Sequence, residues 1–148
     1  MIDISIRAHR DTMPIVFIDD DADDHDLLRQ ALKAASLDNP VHFFANGQQG
    51  LDYLQTTTEQ PLLILCDVRM PIMDGFELRD RIEADPILRQ KSIPFVFFST
   101  WANKVLVDRA YEGSIQGYHQ KGKTFDDLKN ELSLMVTYWK CSLHPNSF

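Results

Sequence analysis

The sequence predicts an α/β fold, a doubly wound five-stranded parallel sheet in the order 2-1-3-4-5 with helices on both faces, and three observations carry that prediction. From Pro14 onward, short apolar runs alternate with stretches of helical periodicity, the pattern of βαβ units feeding a parallel sheet. The run "LLILCD" is unbroken in its apolar character up to the final acid, as strands covered on both faces tend to be. Five such units can be counted, and sheets of this kind commonly wind in that order.

The first strand is "IVFI", and the helix after it sets Leu27, Leu28, Ala31, Leu32 and Ala35 on one face at helical spacing. "VHFFA" is the second strand, followed through Asn46, a good N-cap residue, by a short helix carrying Leu51 and Leu54. "LLILCD" is the third strand and "FELRDRIEAD" the helix behind it, closed by Pro86. "PFVFFS" is the fourth strand, and "ANKVLVDRAYEG" a helix that Gly113 terminates. "GYHQK" is a brief fifth strand. The last helix begins at Thr124, with Asp127 as its capping-box partner, and turns Phe125, Leu128, Leu132, Met135 and Val136 inward. Residues 1–13 receive no element and read as a lead-in, a candidate for disorder; residues 14–139 make the domain and 140–148 a tail.

A chain of 148 residues suits one domain with a real core, and no repeat, low-complexity linker or shift in composition marks a second. The apolar content of 44% and charged content of 25% are ordinary, and no apolar run is long enough to span a bilayer, so no membrane role is expected. A net charge of −7 argues against nucleic acid, whose phosphates attract clustered Lys and Arg. Cys66 and Cys141 are far apart and suggest neither a disulfide framework nor a zinc site. "MIDISIRAHRDTM" lacks the apolar core of a secretory signal, so a cytoplasmic location is expected.

The stretch "VFIDDDADDHD" runs three apolar residues into six aspartates. An open parallel sheet binds its ligand beyond the carboxyl ends of its strands, where the strand order reverses. Asp19 and Asp20 end the first strand and Asp67 the third, so this topology brings three carboxylates together. Their mutual repulsion calls for a cation, and magnesium prefers such oxygen ligands while needing only one or two protein carboxylates. One acid is then free to act as a nucleophile toward phosphorus, giving an aspartyl phosphate. Lys121, ending the fifth strand, is the candidate positive group, and Ser99, ending the fourth, has a hydroxyl that can donate to a phosphoryl oxygen. The remaining acids from Asp21 to Asp26 read as solvated residues that offset the positive end of a helix dipole.

With "LLILCDVRMPIMDGFEL" the pattern becomes specific. The acidic pair Asp19 and Asp20, the "D-x-x-M-P-x-M-D-G" segment from Asp67 to Gly75, the hydroxyl at Ser99 and "GYHQK" ending in Lys121 occur in order at matching strand ends. Carrying them, the chain from about Pro14 to Met135 resembles the receiver domain of two-component response regulators, as in the chemotaxis-type single-domain members. The resemblance implies a flavodoxin-like strand order and phosphorylation of Asp67. It implies that Asp19 and Asp20, with Asp67 and the main-chain carbonyl of Arg69, hold magnesium, and that Ser99 and Lys121 contact the phosphoryl group. Tyr118 matches the family's aromatic switch position, though it reads equally as an ordinary edge-strand aromatic. Met70, Pro71, Asp74 and Gly75 would shape the loop after the third strand, and Asp74-Gly75 reads unaided as a turn.

Two departures from the family stand out. Its usual proline after the lysine, joined by a cis bond, is Gly122 here. A cis bond before a non-proline residue costs ~3 kcal/mol, which favours a trans, reshaped loop but leaves the choice of cis or trans open, with glycine able to take an unusual backbone conformation. Arg69 and Trp101 stand two residues beyond Asp67 and Ser99, bordering the phosphorylation site, and their bulk is expected to slow attack of water on an acyl phosphate.

The function so implied is a single-domain switch, not a classical enzyme, that accepts phosphate from a histidine kinase or histidine phosphotransfer protein and acts on a downstream protein target. The face of the fourth helix, fifth strand and last helix is the candidate surface for a partner or homodimer. An aspartate-nucleophile phosphatase of the haloacid dehalogenase kind would carry Asp-x-Asp, and Arg69 stands where the second aspartate belongs. A flavin-binding relative would need neutral backbone donors after the first strand, where this chain is acidic. A phosphate-independent pseudo-receiver used for docking conflicts with the retained acids, hydroxyl and lysine, and is left open only by Gly122.

Overall fold

The computed structural model describes residues 4–145. Its elements run α1 (Ile4–Asp11), β1 (Ile15–Ile18), α2 (Ala22–Ala34), β2 (Val41–Phe44), α3 (Gly47–Thr56), β3 (Leu63–Cys66), α4 (Gly75–Ala84), α5 (Pro86–Lys91), β4 (Phe95–Ser99), α6 (Lys104–Tyr111), β5 (Gly117–Gln120) and α7 (Phe125–Cys141). The strands form one parallel sheet in the order β2-β1-β3-β4-β5, as the alternating pattern predicts.

Every residue of β1 and β3 is buried, which a strand achieves only with a layer on each side. Because strand side chains alternate, Ile15, Phe17, Leu63, Leu65, Val96 and Phe98 share one face with Leu28 and Leu32 of α2 and Leu128, Leu132 and Val136 of α7. Val16, Ile18, Ile64, Cys66 and Phe97 share the other with Leu51 and Leu54 of α3, Phe76 and Leu78 of α4, Leu88 of α5 and Ala110 of α6. Each large side chain so buried stabilises the fold by about 1.5–3 kcal/mol. Among the described residues, no helix is long and apolar enough to cross a membrane.

Local chemistry starts the helices where the sequence indicates. The Asn46 side chain accepts the Gln49 N–H at 2.9 Å, and Thr124 and Asp127 form the expected reciprocal capping box. Pro86 does end α4, and it also opens α5: Asp85 accepts the N–H groups of Ile87 and Leu88, and the proline takes the first helical position, where its missing N–H costs nothing.

Besides α5, for which the sequence predicts no element, three details differ from the sequence expectation. Residues 4–11, given no element above, form α1, fixed by contacts distant in sequence. The buried Arg10 guanidinium donates to the main-chain carbonyls of Trp139 and Ser142, satisfying the end of α7, and Lys140 pairs with Asp11 at 3.0 Å. The Asn39 side chain donates in turn to the carbonyls of Arg10 and Met13 at 2.9 and 2.8 Å. α7 itself runs to Cys141, two residues into the expected tail. Leu27 and Phe125, expected to face inward, are 40% and 38% exposed because each lies at the margin of its helix's buried stripe.

Candidate functional site

The candidate residues gather at the carboxyl ends of β1, β3, β4 and β5. The Asp67 N–H donates to the Ile18 carbonyl at 2.8 Å, which places Asp67, just past β3, beside Asp19, just past β1. Carboxylate oxygens of Asp19, Asp20 and Asp67 all lie within 4.8 Å of one another. Asp19 is buried, Asp67 half-buried and Asp20 exposed, so the cluster opens to solvent on one side. Three hard oxygen donors at this separation fit magnesium and suit a soft metal poorly.

Asp19 is held from its own chain. Its Oδ1 accepts the Asp21 N–H at 2.9 Å, and its main-chain carbonyl accepts from His25 Nε2 at 2.7 Å, with the His25 ring stacked on Phe43. Asp67 Oδ1 accepts the Val68 N–H at 2.7 Å and the Ser99 hydroxyl at 2.6 Å. The wholly buried Ser99 Oγ also accepts the Trp101 N–H at 3.1 Å, so its single proton is committed to Asp67.

The Lys121 ammonium meets three carboxylates. It donates to Asp19 and, at 3.1 Å, to Asp24, and lies 3.9 Å from Asp67 Oδ2. Burial alone pushes its pKa down, but the charges of Asp19, Asp67 and Asp24 more than offset this and raise it. A groove of about 350 Å³, lined by Asp24, Leu27, Thr100, Gln120, Gly122 and Lys123, opens beside it.

The Lys121–Gly122 bond is trans, which settles the choice the sequence left open. The reason for glycine differs from the sequence expectation: its φ is not positive, but a Cβ there would overlap Asp127 Cβ and crowd Glu131 Oε1. The Gly122 N–H, which a proline would lack, donates to Glu131 Oε2 at 3.1 Å and ties the lysine loop to α7. Gly75 answers a similar need, since a Cβ there would overlap the main-chain oxygen of Asp67. The Asp74 side chain accepts the Glu77 N–H and caps α4, while Ile72 in the same loop has φ 70°.

Two further contacts join the loop after β4 to its surroundings. The Tyr118 ring lies 5.6 Å from Phe97, and its hydroxyl donates to the Trp101 carbonyl; burial, then Asp67, raises its pKa. The Arg69 guanidinium lies 4.1 Å over the Trp101 ring. Beneath the cluster, the Cys66 thiol donates to the Asp67 main-chain oxygen at 3.1 Å, and burial, with the charges of Asp67 and Asp19, pushes its pKa up.

The fold thus brings together Asp19, Asp20, Asp67, Ser99 and Lys121. It also adds Asp24, His25 and Glu131, which sequence reasoning misses. Asp24 is hidden in a run of acids, and only the placement of Lys121 across the sheet sets it apart.

The profile of the response regulator receiver domain matches residues 15–133. The chain is similar to the response regulator Rcp1 of Synechocystis sp. (strain ATCC 27184 / PCC 6803 / Kazusa), at 28% identity over 130 residues covering 84% of this chain and 87% of Rcp1. Its fold is similar to the crystal structure of the phosphorylated cyanobacterial phytochrome response regulator RcpA, with a TM-score of 0.79 and 25% identity over 90% of this chain and 97% of that one. The Mn(2+)-bound form of Rcp1 gives a TM-score of 0.76 and 26% identity over 89% and 97%. With a family match over most of its length and the same sheet order, the chain belongs to the response regulator receiver domains.

Proposed function

We propose that the protein is a phosphorylation-driven switch in which Asp67 accepts a phosphoryl group from a phosphohistidine on a histidine kinase or histidine phosphotransfer protein. The observation that carries this reading is the convergence on one half-buried carboxylate of a hydroxyl donor, an ammonium group and two further acids. In the transfer, an Asp67 oxygen forms a bond to phosphorus as the bond from phosphorus to the donor's ring nitrogen breaks, and that nitrogen keeps the electron pair. Ser99 turns its proton to a phosphoryl oxygen, and Lys121 offsets the charge of the group. Magnesium, held by Asp19, Asp20, Asp67 and the main-chain carbonyl of Arg69, supplies further charge neutralisation; the oxygen-only donor set and the Mn(2+)-bound form of Rcp1 support this.

A path to the surface follows from two hydrogen bonds. Ser99 Oγ accepts the Trp101 N–H, and the Trp101 carbonyl accepts the Tyr118 hydroxyl, so a shift of Ser99 toward a phosphoryl group bears on Tyr118. Tyr118 is the switch residue in this reading, with α6, β5 and α7 as the responding face for a downstream protein or a second copy of the chain. The protein catalyses only its own phosphorylation and dephosphorylation, and works in the cytoplasm where its donor resides.

Incubation with acetyl phosphate, with and without magnesium, followed by intact mass of wild type and Asp67→Asn, tests this. The expected result is a magnesium-dependent phosphoryl adduct absent from the variant. A folded wild type that gains no adduct would overturn the reading in favour of a docking module.

A further inference from the structure

We propose that Asp24 is a positioning residue for Lys121, holding the ammonium back from Asp67 and so setting the rate at which Asp67 gains a phosphoryl group. This rests on the phospho-acceptor reading of Asp67. Lys121 is almost wholly buried and has three protons to place among three carboxylates, of which Asp67 is the most distant. Asp19 and Asp67 both belong to the cluster of acids that fits a cation. Asp24 stands outside that cluster, so it is the one partner of Lys121 with no other task in the transfer. Its carboxylate, 3.1 Å from Nζ, competes directly with an incoming phosphoryl group for the ammonium.

The geometry points the same way. Asp24 projects from the first turn of α2 and lines the groove beside Lys121, so the pair sits where an anionic donor can approach. The Asp24 side chain is one-third exposed, which makes the pair weak enough to be broken during each transfer. Gly122 carries no Cβ and its N–H is bound by Glu131, so the loop lies against α7, and Gly122 lines the same groove as Asp24.

The test compares wild type, Asp24→Asn and Asp23→Asn. Asp23 lies in the same helical turn and carries the same charge, but its carboxylate makes no contact with Lys121 among the described interactions. Phosphoryl uptake from acetyl phosphate with magnesium is followed by intact mass, and the Lys121 ammonium signal is followed by NMR without any donor. Asp24→Asn is expected to speed uptake about threefold to fivefold, the scale of a partly exposed ion pair, and to shift the ammonium signal. Asp23→Asn is expected to do neither. Equal uptake rates in the two variants, or an unmoved ammonium signal in Asp24→Asn, would overturn the proposal and leave the phospho-acceptor reading intact. A wild type that gains no phosphoryl group would overturn both, so the two failures are distinct.

Discussion

The Ser99 hydroxyl donates to Asp67 Oδ1 at 2.6 Å, so the residue proposed to steady the phosphoryl group already grips its acceptor. A hydrogen bond to a charged group contributes about 1.5–3 kcal/mol. Ser99→Ala is therefore expected to slow phosphoryl uptake by about tenfold, since ~1.4 kcal/mol is a factor of ten. Ser99→Thr, which keeps the hydroxyl, should stay near wild type. A mass-spectrometric time course with acetyl phosphate checks both.

Arg69 and Trp101, in the loops that follow Asp67 and Ser99, stack on each other, the guanidinium 4.1 Å above an indole that is half exposed. A stack of this kind at an exposed position holds by about 0.5–1 kcal/mol. Trp101→Ala should quicken loss of the acyl phosphate about twofold to fivefold, the rate effect of a barrier change of ~0.5–1 kcal/mol. Decay of the phosphorylated species after removal of the donor is the measurement, and an unchanged half-life would show that the pair does not shield the site.

At Gly122, any side chain meets Asp127 and Glu131. Gly122→Ala should cost about 1–3 kcal/mol of stability through overpacking, and Gly122→Pro more, because it also removes the N–H that Glu131 accepts. Urea midpoints read this directly. A Gly122→Ala midpoint equal to wild type would contradict the close approach.

Ile72 holds φ 70° and is 79% exposed, so it suffers left-handed strain without burial in return. Ile72→Asn should raise stability by about 1 kcal/mol, asparagine being tolerant of that conformation. Thermal melts of the two proteins are sufficient.

Two groups tie stability to alkaline pH in the same direction. Cys66 and Lys121 both have raised pKa values, so the folded chain binds their protons more tightly than the unfolded chain does. Each contribution is complete below the group's own unfolded pKa, about 8.5 for the thiol and about 10.4 for the ammonium, and is lost as pH rises beyond it. Cys66→Ala should be less stable at neutral pH yet show a shallower alkaline decline. In the native protein the exposed Cys141 should react quickly with a thiol reagent, and the buried Cys66 only on unfolding.

The sheet is legible in the sequence because β1, β3 and β4 are continuous apolar runs closed by acids or a serine, while the more polar β5 is marked by the lysine that follows it. Each expected strand agrees with the observed one to within a residue at either end. Asn46 and Thr124 announce their helices for the same local reason. The meeting of Asp19, Asp20, Asp67, Ser99 and Lys121 also follows from topology, since each ends a strand. What the sequence hides depends on contacts across the fold. Asp24 looks like its neighbours until Lys121 reaches it. The hydroxyl of Tyr118 is a surface phenol until it binds the Trp101 carbonyl. Gly122 invites an explanation from backbone freedom, whereas crowding by α7 is the cause.

The clasp made by Arg10 has a practical consequence for anyone trimming this protein. The family match begins at residue 15, so a boundary drawn by alignment would discard α1 as dispensable. That cut would strip the donors from the carbonyls of Trp139 and Ser142 and take away a main-chain acceptor of buried Asn39. The shortened chain would keep every group around Asp67 and fray at the opposite rim of the sheet, yielding a protein with sound chemistry and poor shelf life.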